Sequence, residues 1–258
     1  MNPLNYFIAL LAFVFCAQLQ AQVTVSYTYD QLNRLTEASY SNGLKMTYSY
    51  DALGNRTNES ITKTLVIVNV KLNIEGYYDS STNQMRPAKM NQGIGSDTTL
   101  VDDITVELVD PTTLQSVASI VTELKTNGTA ICNFPIVNDG NYYLVIKHRN
   151  AVQTWSATPI NLNSSPLIYD FSDAANKAFG ANLVELQIGV FGLYSGDINQ
   201  DENVDNSDYS IWESDANDFS FGFYATDLNG DGNVDNTDYS IWEANSNNYI
   251  FSIHPTLD

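Results

Sequence analysis

Two stretches of twelve residues, Asp197 to Asp208 and Asp227 to Asp238, repeat one arrangement of oxygen-bearing side chains at an offset of 30 residues. In the first, Asp197, Asn199 and Asp201 stand at positions 1, 3 and 5, Asn203 at 7, Asp205 at 9 and Asp208 at 12. Asp227, Asn229, Asp231, Asn233, Asp235 and Asp238 hold the same places in the second. A hard divalent cation such as Ca2+ takes about six to eight oxygens, and a loop that offers side-chain oxygens at alternate positions and a backbone carbonyl at position 7 can wrap around one. The spacing therefore predicts two Ca2+ ions, one per loop, with these twelve residues as ligands. The match runs on beyond them: Asp-Tyr-Ser-Ile-Trp-Glu occupies 208–213 and returns at 238–243, which makes this stretch a duplicated unit.

The charge of the chain points the same way. Thirty Asp and Glu stand against 11 Lys and Arg, and none of the basic residues lies beyond Lys177. A net charge of -19 repels a phosphate backbone, so nucleic acid is excluded as a partner and a divalent cation is a natural counter-ion. The opening residues hold an apolar run, Phe7 to Cys16, too short to span a bilayer but suited to the core of a signal peptide. Small residues offer a cleavage site after Ala21, with lipid attachment at Cys16 as the alternative. If Cys16 leaves with the signal, Cys132 is the only thiol of the mature chain and no internal disulfide can form. No later stretch has the length and apolarity of a membrane span.

The pattern Asp-x-Asn-x-Asp-Gly-x-Val-Asp-x-x-Asp followed by one helix resembles the type I dockerin, a tandem pair of EF-hand-like calcium loops. The resemblance covers about 65 residues of the C-terminal part. It implies that each loop is followed but not preceded by a helix, and that Asn206, Ser207, Asn236 and Thr237, with Tyr209 and Tyr239, face a cohesin-like partner. The helices carry Tyr-Ser-Ile-Trp-Glu where the cellulosomal pattern has a Leu and Lys or Arg run. Val204 and Val234 are expected to pair as a short strand between the loops, and Ile211, Trp212, Ile241 and Trp242 to form a small shared core. Position 6 normally needs positive φ; Gly232 supplies it, whereas Glu202 in loop one would adopt it at a cost on the order of 1–2 kcal/mol.

Nearer the N-terminus, Tyr27-Thr-Tyr-Asp30 returns as Tyr48-Ser-Tyr-Asp51 after 21 residues. This stretch resembles the YD repeats of the RHS family, whose long arrays build β-shells; one and a half copies cannot close one. A partner-docking hairpin turned at Ser41-Asn42-Gly43 and a plain amphipathic hairpin are equally open readings. From Thr62 to about Val190 short β-rich runs (65–74, 104–109, 114–124, 142–147, 167–171) alternate with turn-formers such as Asn127-Gly128 and Asp139-Gly140, and helical periodicity is scarce. Pro87 to Ser96 reads as a long irregular loop.

The fold expected is mostly β with a small α C-terminal module: an Ig-like or prealbumin-like β-sandwich followed by a dockerin-like pair of calcium loop–helix motifs. Its parts would be a signal peptide (1–21), a YD-repeat hairpin segment (22–60), the sandwich (61–190) and the calcium module (191–258). No pair of carboxylates sits in a recognisable glycosidase setting, and Cys132 and His148 read as structural. The function expected is that of an exported, non-enzymatic calcium-binding protein of the surface or adhesion type, secreted or held at a bacterial cell surface. The alternative is a component of an extracellular polysaccharide-degrading assembly that binds a cohesin-like partner. A protein or a glycan is the expected partner besides calcium.

Overall fold

The computed structural model describes residues 25–40, 44–63, 66–135, 137–138, 140–162 and 167–257. The signal segment 1–21, the turn at Ser41-Asn42-Gly43 and Asp139 of the Asp-Gly turn lie outside these residues. The chain forms two compact units, residues 1–62 and 63–258. It is mostly β with few helices, and no helix among the described residues is long and apolar enough to cross a membrane.

The first unit is a four-stranded antiparallel meander, not the single hairpin expected from the repeat: β1 (Val25–Tyr29), β2 (Leu35–Tyr40), β3 (Leu44–Tyr50) and β4 (Arg56–Lys63) pair in that order. The Asp that closes each Tyr-x-Tyr-Asp does the turning. Asp30 Oδ1 accepts the amides of Leu32 and Arg34, and Asp51 Oδ1 those of Leu53 and Asn55, so one side chain satisfies the donors of each turn. Arg34 then ties the copies together. It donates to Asp30 Oδ2 at 2.6 Å and to the Asp51 carbonyl at 3.2 Å, and its guanidinium lies over the Tyr50 ring at 4.7 Å.

The second unit begins with β5 (Val66–Lys71), the short pair β6 (Tyr78–Asp79) and β7 (Gln84–Met85), and one helical turn, α1 (Ala88–Asn91). It continues with β8 (Leu100–Val109), β9 (Ser116–Lys125), β10 (Thr129–Phe134), β11 (Asn141–His148), β12 (Ala151–Trp155), β13 (Ile160–Asn161), β14 (Leu167–Asp170), β15 (Val184–Gln187) and β16 (Val190–Gly192). Two helices close the chain, α2 (Asn206–Asn217) and α3 (Asn236–Asn247). One sheet has the order β10-β5-β14, with β14 parallel to β5, and a larger one runs β12-β11-β8-β9, extended by β13 beside β11.

Alternation explains how the two sheets share one core. Ile104, Val106 and Leu108 of β8, Leu144 and Ile146 of β11, Val68 and Val70 of β5 and Ala130, Cys132 and Phe134 of β10 all enter a single buried cluster, while Ile131 between them faces water. Each fully buried Val, Leu, Ile or Phe contributes roughly 1.5–3 kcal/mol. Cys132 is one of these core residues; desolvation pushes its thiol up to about 12, so it behaves as a small apolar side chain.

Pro87 to Ser96 is not irregular throughout as its Asn, Gln and Gly content implies: 93–96 lie outside helix and strand, but the first half is ordered. Residues 86–92 fold into α1 and its flanks, with Asn91 N donating to Pro87 O and Gln92 N to Ala88 O. Gln92 is buried. Its side chain bonds Asp227 of the second acidic loop and Arg149, which explains why this polar side chain can be buried.

Candidate metal centre

Each acidic loop runs straight into its helix, and the helix start is built from the loop's own carboxylates. Asp205 caps α2 by accepting Ser207 N at 2.7 Å, and Asp208 Oδ2 accepts Asp205 N at 2.9 Å in return. Asp235 and Asp238 do the same for α3, at 2.8 and 2.9 Å. This reciprocal cap satisfies two donors that a helix start otherwise leaves free. Positions 9 and 12 thus have a structural duty that needs no ion.

Inside the loops the two copies share several bonds of the position-1 and position-12 carboxylates. The position-1 carboxylate accepts the amides of positions 5 and 6: Asp197 from Asp201 and Glu202 at 3.1 and 3.2 Å, Asp227 from Asp231 and Gly232 at 3.3 and 2.8 Å. The position-12 carboxylate reaches back to the amide of position 3, from Asn199 to Asp208 and from Asn229 to Asp238, both at 3.0 Å. Position 6 has the left-handed backbone expected of it, with φ +75° at Glu202 and +94° at Gly232. Position 4 has it too, at Gln200 (φ +60°) and Gly230 (φ +70°). Loop one therefore carries two residues with a Cβ in a conformation that disfavours them. Glu202 is held there by Gln153, which donates to Oε1 at 3.1 Å, and Gln200 by its own bond to Asp197 O at 2.6 Å.

Val204 and Val234 meet in one buried cluster but do not pair as strands. Val204 N donates to Ile250 O and Val234 N to Ser220 O, with Ser252 N on Glu202 O and Gly222 N on Gly232 O. Each loop is laddered to the segment that follows the other loop's helix, and the two bridges, Asn203 with Phe251 and Asn233 with Phe221, exchange under the 30-residue shift. The reason lies in the helix ends. Phe219 and Tyr249, two residues beyond α2 and α3, both take φ +53° and turn the chain back across the partner loop.

The shared core also differs from expectation. Trp212, Trp242 and Ile241 join the cluster as expected, but Ile211 is 38% exposed, and Tyr209 and Tyr239 pack there as well. Their rings stand between Trp212 and Trp242 with centroids 5.1–6.1 Å apart, and each hydroxyl donates to a Glu one turn on, Glu213 or Glu243. Both rings are half-buried in this cluster. Asn206, Ser207, Asn236 and Thr237 remain exposed.

Electrostatics set the loops apart from an ordinary acidic surface. Asp197, Asp208, Asp227 and Asp238 are all at most 1% exposed, and none forms an ion pair among the described residues. Desolvation, then the charges of Asp208 and Asp201, push Asp197 up to about 7. Desolvation, with Asp227 and Asp231 adding repulsion, does the same to Asp238, and burial raises Asp208 and Asp227 as well. Among the described residues no group of three or more His, Cys, Asp or Glu side chains stands placed to hold a metal ion. The donor set nevertheless fits a hard cation. It consists of oxygens alone, its buried carboxylates form no direct ion pair among the described residues, and the position-7 carbonyls of Asn203 and Asn233 accept no hydrogen bond among the described residues, the cross-loop ladders using their neighbours instead. The twelve sequence-predicted residues are thus gathered loop by loop.

Loop two is, in addition, seated on the β-layered part of the same unit, which the sequence did not reveal. Asn91 Nδ2 donates to Gly230 O at 2.8 Å and Arg86 Nη1 to Asn229 O at 3.2 Å. A Cβ on Gly230 would lie 2.8 Å from the Ala88 Cβ, and one on Gly232 2.5 Å from Asn91 O. These glycines serve a close approach as well as a positive φ. The signal was in the sequence: loop two has glycine at positions 4 and 6 where loop one has Gln200 and Glu202.

No protein-family model matches the chain, and no curated protein matches it. Two solved structures resemble it in shape, an N-terminal and a C-terminal interface mutant of a type II cohesin–X-dockerin complex from Acetivibrio cellulolyticus. They are 18% and 19% identical, the match covers 71% of this chain and 99% of the other in both, and the TM-scores are 0.41 and 0.39. Both scores lie below 0.5, so the functional reading rests on the residues of this chain.

Proposed function

We propose that residues 191–258 form a dockerin-like module in which Asp197, Asn199, Asp201, Asn203, Asp205 and Asp208 hold one Ca2+ and Asp227, Asn229, Asp231, Asn233, Asp235 and Asp238 a second. The chain is then an exported, non-enzymatic protein of the surface or adhesion type, and the ions stiffen its C-terminal end. The observation that carries this is the set of four buried, unpaired loop carboxylates, duplicated with their hydrogen bonds at a 30-residue offset. Bound calcium supplies two positive charges to each loop. The loop residues do the rest: amides orient the position-1 and position-12 carboxylates, and the reciprocal caps hold α2 and α3 to them.

A second reading, a component of a polysaccharide-degrading assembly that docks on a cohesin-like partner, has one favouring observation: Asn206, Ser207, Asn236 and Thr237 stand exposed at the helix starts. Tyr209 and Tyr239, packed between the tryptophans, do not support it.

The test is a thermal melt of the full chain in about 1 mM calcium and in excess EGTA. Two sites with Kd near 0.1–1 mM stabilise by RT ln(1 + [Ca]/Kd), roughly 0.4–1.4 kcal/mol each. The melt is expected to rise with calcium and fall with chelator. Identical curves in the two buffers refute the calcium reading.

A further inference from the structure

The second loop differs from the first in one respect that its own sequence does not explain: a side chain from far upstream holds its first carboxylate. Gln92 Nε2 donates to Asp227 Oδ2 at 2.7 Å, beside Gly232 N on the same oxygen at 2.8 Å. Asp227 Oδ1 takes the loop amides of Gly230 and Asp231 at 2.8 and 3.3 Å. Gln92 is 3% exposed and Asp227 fully buried. Among the described residues Asp197, the counterpart in loop one, accepts only backbone amides.

The orientation of the Gln92 amide is fixed from behind. Its Oε1 accepts Arg149 Nη2 at 2.7 Å, and a guanidinium is a donor only, so the oxygen must face Arg149 and the NH2 must face the carboxylate. Arg149 is itself pinned: Nε donates to buried Asp102 at 2.7 Å, Nη2 to the Tyr77 hydroxyl at 2.8 Å and Nη1 to the Tyr224 carbonyl, and the Phe223 ring lies 4.3 Å from the guanidinium carbon. A chain of directional hydrogen bonds thus runs from Asp102 in β8, through Arg149 and Gln92, to position 1 of loop two. The other grips on this loop take the backbone carbonyls of positions 1, 3 and 4, which a calcium loop does not use, and leave that of position 7 free.

We propose that Gln92 is a positioning residue for the second calcium loop, holding the Asp227 carboxylate in its plane so that ion uptake there is coupled to the seating of the α1 segment, while loop one has no such support. This rests on the calcium reading above. Outer-shell partners of metal ligands fix ligand orientation, and their loss typically lowers metal affinity by about tenfold to a hundredfold. Coupling is reciprocal: what α1 contributes to calcium affinity, calcium returns as protection of α1.

The experiment is calorimetric titration of the full chain with calcium for the parent, Gln92→Met and Gln153→Met, with a melt of each in EGTA. Methionine keeps the length and burial of Gln92 and removes its donor and acceptor. Gln153→Met removes the bond to Glu202 and touches no ligand. The expected result is that Gln92→Met weakens one of two sites about tenfold or more and leaves the other unchanged, beyond any lowering of the EGTA melt from its two lost buried hydrogen bonds, whereas Gln153→Met spares the site that Gln92→Met weakens. Two unaltered affinities in Gln92→Met overturn the proposal and leave the calcium reading standing. Equal weakening of both sites with a lowered EGTA melt assigns Gln92 a general structural role and also overturns it. A parent that takes up no calcium overturns both readings. Amide exchange on the parent gives a measurement that no variant can spoil: calcium is expected to slow exchange at Asn91 and Gln92, and no change at these two amides counts against the coupling.

Discussion

Gly232 and Glu202 hold equivalent places in the two loops and share a left-handed backbone, yet substitution should treat them very differently. At Gly232 a Cβ would meet Asn91 O at 2.5 Å, well inside contact distance. That carbonyl cannot swing away freely, because Asn91 N is bonded to Pro87 O and the Asn91 side chain to Gly230 O. Gly232→Ala therefore adds about 1–2 kcal/mol for the left-handed conformation to roughly 1–3 kcal/mol for displacing packed backbone, about 2–5 kcal/mol together. Glu202→Ala keeps a Cβ where one already stands. It loses the Gln153 hydrogen bond, about 0.5–1.5 kcal/mol. In a unit of this size 1 kcal/mol moves the melting temperature by about 2–4 °C, so Gly232→Ala should lower it by roughly 4–20 °C and Glu202→Ala by no more than about 6 °C. Thermal unfolding of the full chain in excess calcium, followed by circular dichroism, reads both. Equal shifts for the two variants would show that loop two is not seated on α1 as described.

Glu202→Gly relieves about 1–2 kcal/mol of backbone strain but surrenders the Gln153 bond, about 0.5–1.5 kcal/mol. The net change runs from about -0.5 to +1.5 kcal/mol, so calcium titration should place loop one between about twofold weaker and about tenfold tighter, and a larger weakening would contradict the strain argument. Asp102 offers a pH test: burial works against its charge, yet His148 at 3.1 Å and Arg149 at 2.7 Å hold its carboxyl well below the ordinary value of 3.8. A depressed folded value means that the stabilisation is complete above the unfolded value and is lost as the pH falls from about 4 toward the folded one. Asp102→Asn should therefore be less stable than the parent at pH 5–7, with the gap closing below about pH 4; a gap that persists undiminished into acid would remove Asp102 from the account.

What could be read from the sequence was local. A calcium-type loop announces itself because its oxygens are spaced along twelve consecutive residues, and the helices after it follow from the same residues, since Asp205 with Asp208 and Asp235 with Asp238 are reciprocal caps. The strands β8 and β11 were visible through alternation, Ile104, Val106 and Leu108 in one and Leu144 and Ile146 in the other. The positive φ at Glu202 was foreseen for the same local reason. Choices between equally apolar or equally polar neighbours were not legible. Tyr209 rather than Ile211 turns inward because its hydroxyl can be satisfied by Glu213 at the rim while the ring stacks on Trp212 and Trp242. The 86–92 segment looked like a loop because its Asn and Gln satisfy partners more than a hundred residues away, as Asn91 does on Gly230 and Gln92 on Asp227.

The exchanged ladders decide how the two loops depend on one another. Had Val204 paired with Val234, each loop would lean on the other directly and the segments after the helices would be free to end anywhere. Instead the amide of Val204 is completed by Ile250, beyond α3, and that of Val234 by Ser220, beyond α2. Loop one is thus finished only by residues that follow loop two's helix, and α3 in turn is anchored upstream, where buried Asn245 donates to Glu75 at 2.6 Å and to the Ser195 carbonyl at 2.8 Å. Glu75 also accepts Ser195 N, just ahead of loop one. The layered strands therefore reach loop one through α3 and through Gln153 on Glu202, and they reach loop two through Gln92, Asn91, Arg86 and Asn150. Each loop–helix unit is thus completed by backbone hydrogen bonds that it does not contain by itself.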